Sequence, residues 1–395
     1  MAPGPTTGVD PSADFDNLEA ELAARIRRHG PLPYDEVIDA ALYHPVHGFY
    51  QRGGAAGRRH GDFITSPEIG PLFGAVLARA LDAWWTELGE PDPYVVVDVG
   101  AGVGTLARAI SAAEPACLGA LTYLLVERSA TLRASHGAHL ALSTPAFAFG
   151  PHVPPAEADS DTSVRGTGPR FVSLDTMPAL SFVGVVLANE LLDNLPFRLA
   201  QRGPSGWLEV RVDLADDDTT LVERRVSPPD DVVALVDHLV PDAPDGARVP
   251  IESHAAAWLR DVLGQIERGR VIVIDYASRT THVAMRPTSE WLRTYRGHDR
   301  GDAPLDALGT QDITVDLCVD QLERVRPPDH DRDQADFLRA HGLAELVEEG
   351  KQIWRERAAI GDLESIRGRS RVSEAEALTD PTGLGAFRVL EWRVG

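Results

Sequence analysis

The sequence predicts an α/β fold: a doubly wound, Rossmann-like parallel sheet with helices on both faces. Three observations carry that prediction. Short apolar, β-branched runs recur along the chain, helical stretches separate them, and a glycine-rich turn follows the first clear run and opens a helix. Strands buried on both faces of a parallel sheet read as near-continuous apolar runs, and these do. The chain has 395 residues, 43% apolar and 25% charged, which is ordinary globular usage with material for a sizeable core. That length suggests about two to three domain-sized units.

The elements follow in order. Leu18, Leu22 and Ile26 stand at helical spacing, so residues 16–28 predict an amphipathic helix, which Gly30-Pro31-Leu32-Pro33 stops. Residues 34–42 predict a second short helix, with Asp35 and Glu36 in its first turn, where the helix dipole favours acids. The Gly- and Arg-containing stretch 53–61 reads as a mobile loop, and 73–88 as a long apolar helix. Residues 15–92 thus form an N-terminal helical extension that carries a loop of the active site. The first strand is 94–98 and a helix follows over 106–113. Further strands are expected at 121–127, 170–174, 182–188 and 270–274. The core is therefore split into a first part, 93–200, and a second part, 255–395. Between them, 207–213 and 219–226 flank the acidic turn Ala215-Asp216-Asp217-Asp218 and read as an inserted β-hairpin within 201–254. A helix over about 255–267 returns the chain to the core. Residues 1–14, rich in Pro, Gly, Thr and Asp, read as a short disordered tail and not as a secretory signal. Residues 151–168 and 327–333 read as loops.

Composition narrows the function. A net charge of −22 repels a phosphate backbone, and no basic cluster with interleaved aromatics offsets it, so nucleic acid is not the expected partner. No apolar run reaches the length of a membrane span. The two cysteines, Cys117 and Cys318, lie far apart, which fits a reducing cytoplasm and excludes a cysteine-based zinc site; no metal is expected. His44 and His47 flank Pro45 in a turn-like stretch and lack a third ligand, so they read as structural. His298 is a candidate base for a hydroxyl acceptor.

The glycine turn reads Asp98-Val99-Gly100-Ala101-Gly102-Val103-Gly104-Thr105. Glycines permit the tight turn and let backbone N–H groups approach a ligand. A dinucleotide site favours G-x-G-x-x-G/A, with pyrophosphate at the helix start. Here the spacing is G-x-G-x-G, which suits a ligand without phosphate that packs along Gly100, Gly102 and Gly104. S-adenosylmethionine (SAM) is such a ligand, and NAD is its competitor. Asp98, at the strand end, would orient the amino group of the methionine moiety. Glu127, at the end of the next strand, would accept from both ribose hydroxyls. The segment Asn189-Glu190-Leu191-Leu192-Asp193-Asn194 follows the fourth strand, at the sheet edge that faces the crevice. Asn189 is expected on the cofactor side. Glu190 and Asp193 form a candidate acid pair that would hold a cationic nitrogen, as a protonated and delocalised guanidinium requires. Thr65-Ser66-Pro67-Glu68 resembles a helix start, with Pro in the first turn; alternatively, this loop closes over the cofactor.

Taken together, these segments resemble the MidA-like family of SAM-dependent methyltransferases, which includes the mitochondrial complex I assembly-factor methyltransferase. The matching pieces are Ala41-Leu42-Tyr43-His44-Pro45 with Gly48-Phe49-Tyr50, Gly61-Asp62-Phe63-Ile64-Thr65-Ser66-Pro67-Glu68, and the glycine loop. Val126-Glu127-Arg128-Ser129, Ala188-Asn189-Glu190 with Asp193, Ile274-Asp275-Tyr276, Tyr295-Arg296-Gly297-His298 and Gln311-Asp312-Ile313-Thr314 follow in the family's order. The resemblance implies a seven-stranded class I methyltransferase sheet with a substrate-facing insertion. It also implies methylation of protein arginine, tied in eukaryotes to complex I assembly. By position, Gly100, Gly102, Gly104 and Glu127 would bind SAM, Thr65 and Ser66 would line the site, and Glu190 and Asp193 would face the acceptor. Departures from the family pattern are Ala101 and Val103 in the loop, Leu191, Leu192 and Asn194 in the acceptor motif, and Asp316-Leu317-Cys318-Val319 after Gln311-Asp312-Ile313-Thr314. The expected partners are a protein arginine side chain or a small-molecule O- or N-acceptor, and, for assembly, a homodimer. A non-catalytic assembly factor that keeps SAM for stability is the reading from another class.

Overall fold

The structure is a computed structural model and describes residues 17–54, 65–149, 168–297 and 299–395. Its centre is a seven-stranded sheet. In chain order the strands are β1 (Tyr94–Val99), β2 (Leu121–Val126), β3 (Arg170–Leu174), β4 (Phe182–Asn189), β5 (Ile266–Asp275), β6 (His330–Asp333) and β7 (Arg388–Val394). Their order across the sheet is β3-β2-β1-β4-β5-β7-β6. Neighbours from β3 to β5 are parallel; β7 runs antiparallel to β5, and β6 antiparallel to β7. The sheet is therefore mixed, a parallel set of five extended by an antiparallel edge. The chain winds outward from β1 through β2 to β3, then returns to place β4 on the other side of β1. That reversal opens a crevice at the carboxyl ends of β1 and β4.

Every residue of β1 is buried, and its side chains alternate between two cores. Val96 packs with Phe73, Val76 and Leu81 of the helix Pro71–Glu87, whereas Val95 and Val97 share a core with Leu259 and Val262 of the helix Ser253–Gln265. Period two within a strand places successive side chains on opposite faces, so an unbroken apolar run is what two covered faces demand. Backbone contact is tight at Gly184 and Gly269. A Cβ added to Gly184 would lie 1.8 Å from the Val95 carbonyl oxygen, and one added to Gly269 1.7 Å from that of Gly184.

The insertion is larger than a hairpin. Gly206–Leu214 and Leu221–Val226 pair antiparallel as expected, but Arg198–Gly203, Arg248–Ile251 and the two-residue strand Leu32–Pro33 complete a five-stranded sheet. Leu22, Ile26 and Ile38 of the N-terminal helices pack with Phe197, Val210 and Val212, so the extension and the insertion share one core. Two boundaries differ from expectation. The segment 327–333 is not all loop, because His330–Asp333 forms the edge strand β6. Its pairing rests on charges across the ladder: Arg388 bonds Asp331 and Asp333, and Arg332 pairs with Glu391, so no apolar periodicity marks it. The helix expected over 255–267 ends at Gln265, and Ile266 already opens β5. Arg270 hides the length of β5 from a hydropathy reading, because its guanidinium is buried between Glu87 and Glu391. The expected tail 1–14 and most of the loops expected at 53–61 and 151–168 lie outside the described residues. Among the described residues, no helix is long and apolar enough to cross a membrane, and no cluster of three or more His, Cys, Asp or Glu could hold a metal ion.

Candidate active site

A cavity of about 240 Å³ occupies the crevice. The segments leaving β1 to β4 each supply part of its wall: Gly100 to Val103, Glu127 with Arg128, Asp175, and Asn189 to Leu191. Tyr43 and Tyr50 from the N-terminal extension, Thr65, Pro67 and Glu68 of the short helix Ser66–Ile69 and its N-cap, and Trp258 add to it. The Thr105 hydroxyl donates to Glu68 at 2.6 Å and ties that helix to the end of the glycine loop.

The loop takes left-handed backbone at three of its glycines, with φ of +74° at Gly100, +55° at Gly102 and +83° at Gly104. L-residues with a Cβ seldom adopt these angles. Nothing lies within 4 Å of a Cβ built on Gly102, so that face of the loop is open. Gly104 does not line the cavity; it is the N-cap of the helix Thr105–Ala112 and packs against Leu125 and His136. Glu127 is buried and accepts from the Gly102 N–H at 2.9 Å and the Ser129 N–H at 2.7 Å. Burial pushes its carboxyl above the ordinary range, and those two N–H groups pull it back. Asp98 is buried and accepts from the Tyr123 hydroxyl at 3.0 Å. Desolvation pushes its carboxyl up to about 7.

Glu190 follows β4 with φ +51°, a strained value for a residue with a side chain. The turn it makes presents the carboxylate to the cavity. Oε1 accepts from the Ser66 N–H at 3.2 Å and from Asn189 Nδ2 at 3.1 Å. Burial, with Asp193 nearby, pushes this carboxyl up to about 8. Asn189 also lines the cavity, and its Oδ1 is buried without a hydrogen-bond partner among the described residues.

Besides Gly104, two more expected site residues, Ser66 and Asp193, sit outside the cavity wall. Ser66 does not line the cavity; its hydroxyl donates to Gln334 Oε1 at 2.9 Å and it is fully buried, so it reaches the site only through the N–H that holds Glu190. Asp193 is not in the wall either. The turn Leu192–Asn194 carries it inward, toward Asp275 and Asp312. Asp275 Oδ2 accepts from the N–H groups of Leu192 and Asp193 at 3.0 and 3.2 Å, which fixes that turn. Burial and the neighbouring acids push the Asp193 carboxyl well above the ordinary range. The expected acid pair is therefore one carboxylate in the cavity, Glu190, with a buried acid cluster behind it. Of the acceptor-side departures, Asn194 donates to Asp312 at 3.1 Å and Asp316 is paired with Arg286 and Arg293. His44 accepts from the N–H groups of Val46 and His47, a structural turn. His298 lies outside the described residues.

Comparison with known proteins settles the class. A family described as "Putative S-adenosyl-L-methionine-dependent methyltransferase" matches residues 76–333, well over half of the chain. The chain belongs to this methyltransferase family. Among curated relatives, the mitochondrial protein arginine methyltransferase NDUFAF7 homolog of Drosophila melanogaster is 29% identical over 326 residues, 76% of this chain and 68% of that protein. The human protein arginine methyltransferase NDUFAF7 is 27% identical over 323 residues, 77% of this chain and 67% of that protein. A crystal structure from Burkholderia thailandensis with S-adenosyl-homocysteine (SAH) bound is 26% identical, has a TM-score of 0.75, and covers 95% of this chain and 91% of its own.

The methyltransferase uses SAM, and the cavity suits it. The open face at Gly102 leaves room for a ligand against the backbone. The partnerless Asn189 Oδ1 and the buried carboxylates of Asp98 and Glu127 offer acceptors to an ammonium group and to hydroxyls, which are the donors SAM carries. Asp175, Tyr43, Tyr50 and Trp258 are among the lining residues to which the sequence alone assigns no site role. Asp175 follows β3 as Glu127 follows β2, so the strand-end rule that selects Glu127 selects it too. Tyr43 and Tyr50 stack with ring centroids 5.5 Å apart, and the Arg128 guanidinium lies 4.5 Å from the Tyr43 centroid. Along with Trp258, these aromatics stand in segments whose local pattern signals only a turn or a helix.

These acids predict a pH effect on the ligand-free methyltransferase. Folding raises Asp98 from 3.8 to about 7 and Glu190 from 4.5 to about 8. The folded state thus holds protons that the unfolded chain releases, so the contribution is fully present below the unfolded values and is lost as pH rises through the folded ones. The melting temperature is expected to fall between about pH 4 and about pH 8. Glu190→Gln should flatten that slope, as thermal melts across the range will show.

Proposed function

We propose that the methyltransferase modifies an arginine side chain of a protein. The observation that carries this reading is the Glu190 carboxylate, which lines the cavity beside the glycine loop and is oriented by the Ser66 N–H and Asn189. Bound SAM supplies an electrophilic methyl group. Gly100, Gly102 and Thr65 would form the wall that receives it, Asp98 and Asn189 would hold its ammonium group, and Glu127 would hold its ribose hydroxyls. A guanidinium is cationic and delocalised, so its nitrogen is a poor nucleophile until a carboxylate localises the lone pair. Glu190 holds the guanidinium N–H, orients that nitrogen in line with the methyl, and takes the proton released as the N–C bond forms and the C–S bond breaks. The cationic guanidinium favours the ionised form of Glu190 when it binds, and the raised basicity of this carboxylate suits the proton transfer. The names of the fly and human relatives support arginine as the acceptor.

The test is incubation of the protein with methyl-labelled SAM and a proteome extract, followed by amino-acid analysis of the labelled fraction. Label recovered as methylarginine is expected. Label confined to small molecules, or to a protein residue other than arginine, overturns the reading.

A further inference from the structure

We propose that His136 is a positioning residue of the cofactor site, holding the glycine loop in the shape that receives SAM. His136 is 1% exposed and lies in the short turn His136–Ala138. Its Nε2 stands 2.8 Å from the Gly102 carbonyl oxygen and its Nδ1 2.8 Å from the Ser173 hydroxyl. A carbonyl oxygen only accepts, so Nε2 carries the hydrogen and donates. Nδ1 is then free to accept from the Ser173 hydroxyl, which fixes the ring's tautomer and orientation. Burial, with Arg133 nearby, pushes the ring below its ordinary titration range, which keeps it in this neutral form.

The contact falls where the loop needs it. Gly102 has φ +55° and no side chain of its own to anchor it. Its N–H is taken by Glu127, the acid assigned to the ribose, and its C=O by His136. The same ring backs Gly104, where an added Cβ would lie 3.4 Å from His136 Cδ2. Ser173 belongs to β3, two residues before Asp175 of the cavity wall. One imidazole therefore joins the loop after β1 to β3, with β2 between them. A loop already held in its bound shape loses less entropy when ligand arrives, so this restraint acts on affinity.

The inference rests on the cavity being the cofactor site, and titration calorimetry with SAH on the full chain separates the two claims. His136→Leu should weaken SAH binding about ten-fold or more, since it leaves the part-buried Gly102 carbonyl without its donor and releases the loop. His136→Gln, whose amide can donate to the same oxygen, should stay within about three-fold of wild type. Nitrogen-15 NMR of the ring should show the neutral Nε2–H tautomer. Wild-type affinity in His136→Leu, equal losses in the Leu and Gln variants, or an Nδ1–H tautomer each overturns the proposal. Should His136→Leu fail to fold, Ser173→Ala carries the test: about three-fold weaker binding supports the relay, and unchanged affinity overturns it. A wild-type protein that does not bind SAH overturns the cofactor placement, and this proposal with it.

Discussion

Glu190→Gln is expected to lower the rate of methyl transfer by about 10²- to 10³-fold while leaving SAH affinity within about three-fold of wild type. The amide matches the carboxylate in shape, and its oxygen can still accept from the Ser66 N–H, which holds Oε1 at 3.2 Å. What it loses is charge and the capacity to take a proton. Both serve the acceptor, which Glu190 holds and deprotonates, so the loss falls on methyl transfer and not on cofactor binding. Single-turnover transfer, with SAH calorimetry alongside, separates the two. A variant that keeps its rate removes Glu190 from the chemistry. Asp193→Asn offers a contrast: Asp193 stands outside the cavity wall, so its substitution should act mainly on stability, by relieving repulsion with Asp275 and Asp312.

Glu127→Ala is expected to weaken SAH binding by about 100-fold or more. The carboxylate accepts from the N–H groups of Gly102 and Ser129 and, in the reading above, from the ribose hydroxyls. A hydrogen bond to a charged group contributes about 1.5–3 kcal/mol, and each 1.4 kcal/mol is about ten-fold in affinity. Loss of the ribose contacts alone reaches 100-fold, and release of Gly102 adds to it. Glu127→Gln should fall between wild type and alanine, because the amide keeps one acceptor and turns a donor toward an N–H group. Calorimetry measures both. Affinity within about three-fold of wild type in the alanine variant would show that ribose is held elsewhere.

The two predictions differ in how far each residue could be read from sequence. Glu127 follows the second strand in a strand, glycine loop, helix, strand, acid series, and every link is short. Tyr94–Val99 and Leu121–Val126 are apolar because both sheet faces are covered, and Gly100, Gly102 and Gly104 mark left-handed backbone. Glu190 was legible for the same reason, as the residue after an apolar strand. Asp193 was not, because three residues in a tight turn can point either way and only the N–H groups captured by Asp275 decide which. Ser66 was misplaced for a like reason: its hydroxyl partner, Gln334, stands 268 residues away.

The sequence by itself determined the α/β class, the parallel strands, the glycine loop and the acids that follow β2 and β4. These rest on periodicity, backbone preference and position at a strand end, all of which act over a few residues. Only the tertiary structure decided that the N-terminal extension and the insertion share a sheet, that charged His330–Asp333 is a strand, and that Tyr43 and Tyr50 wall the cavity. It likewise decided that one imidazole holds Gly102 against β3. Each of these depends on groups distant in the chain meeting in space. The Tyr50–Asp312 bond spans 262 residues, and no local pattern encodes a contact of that kind.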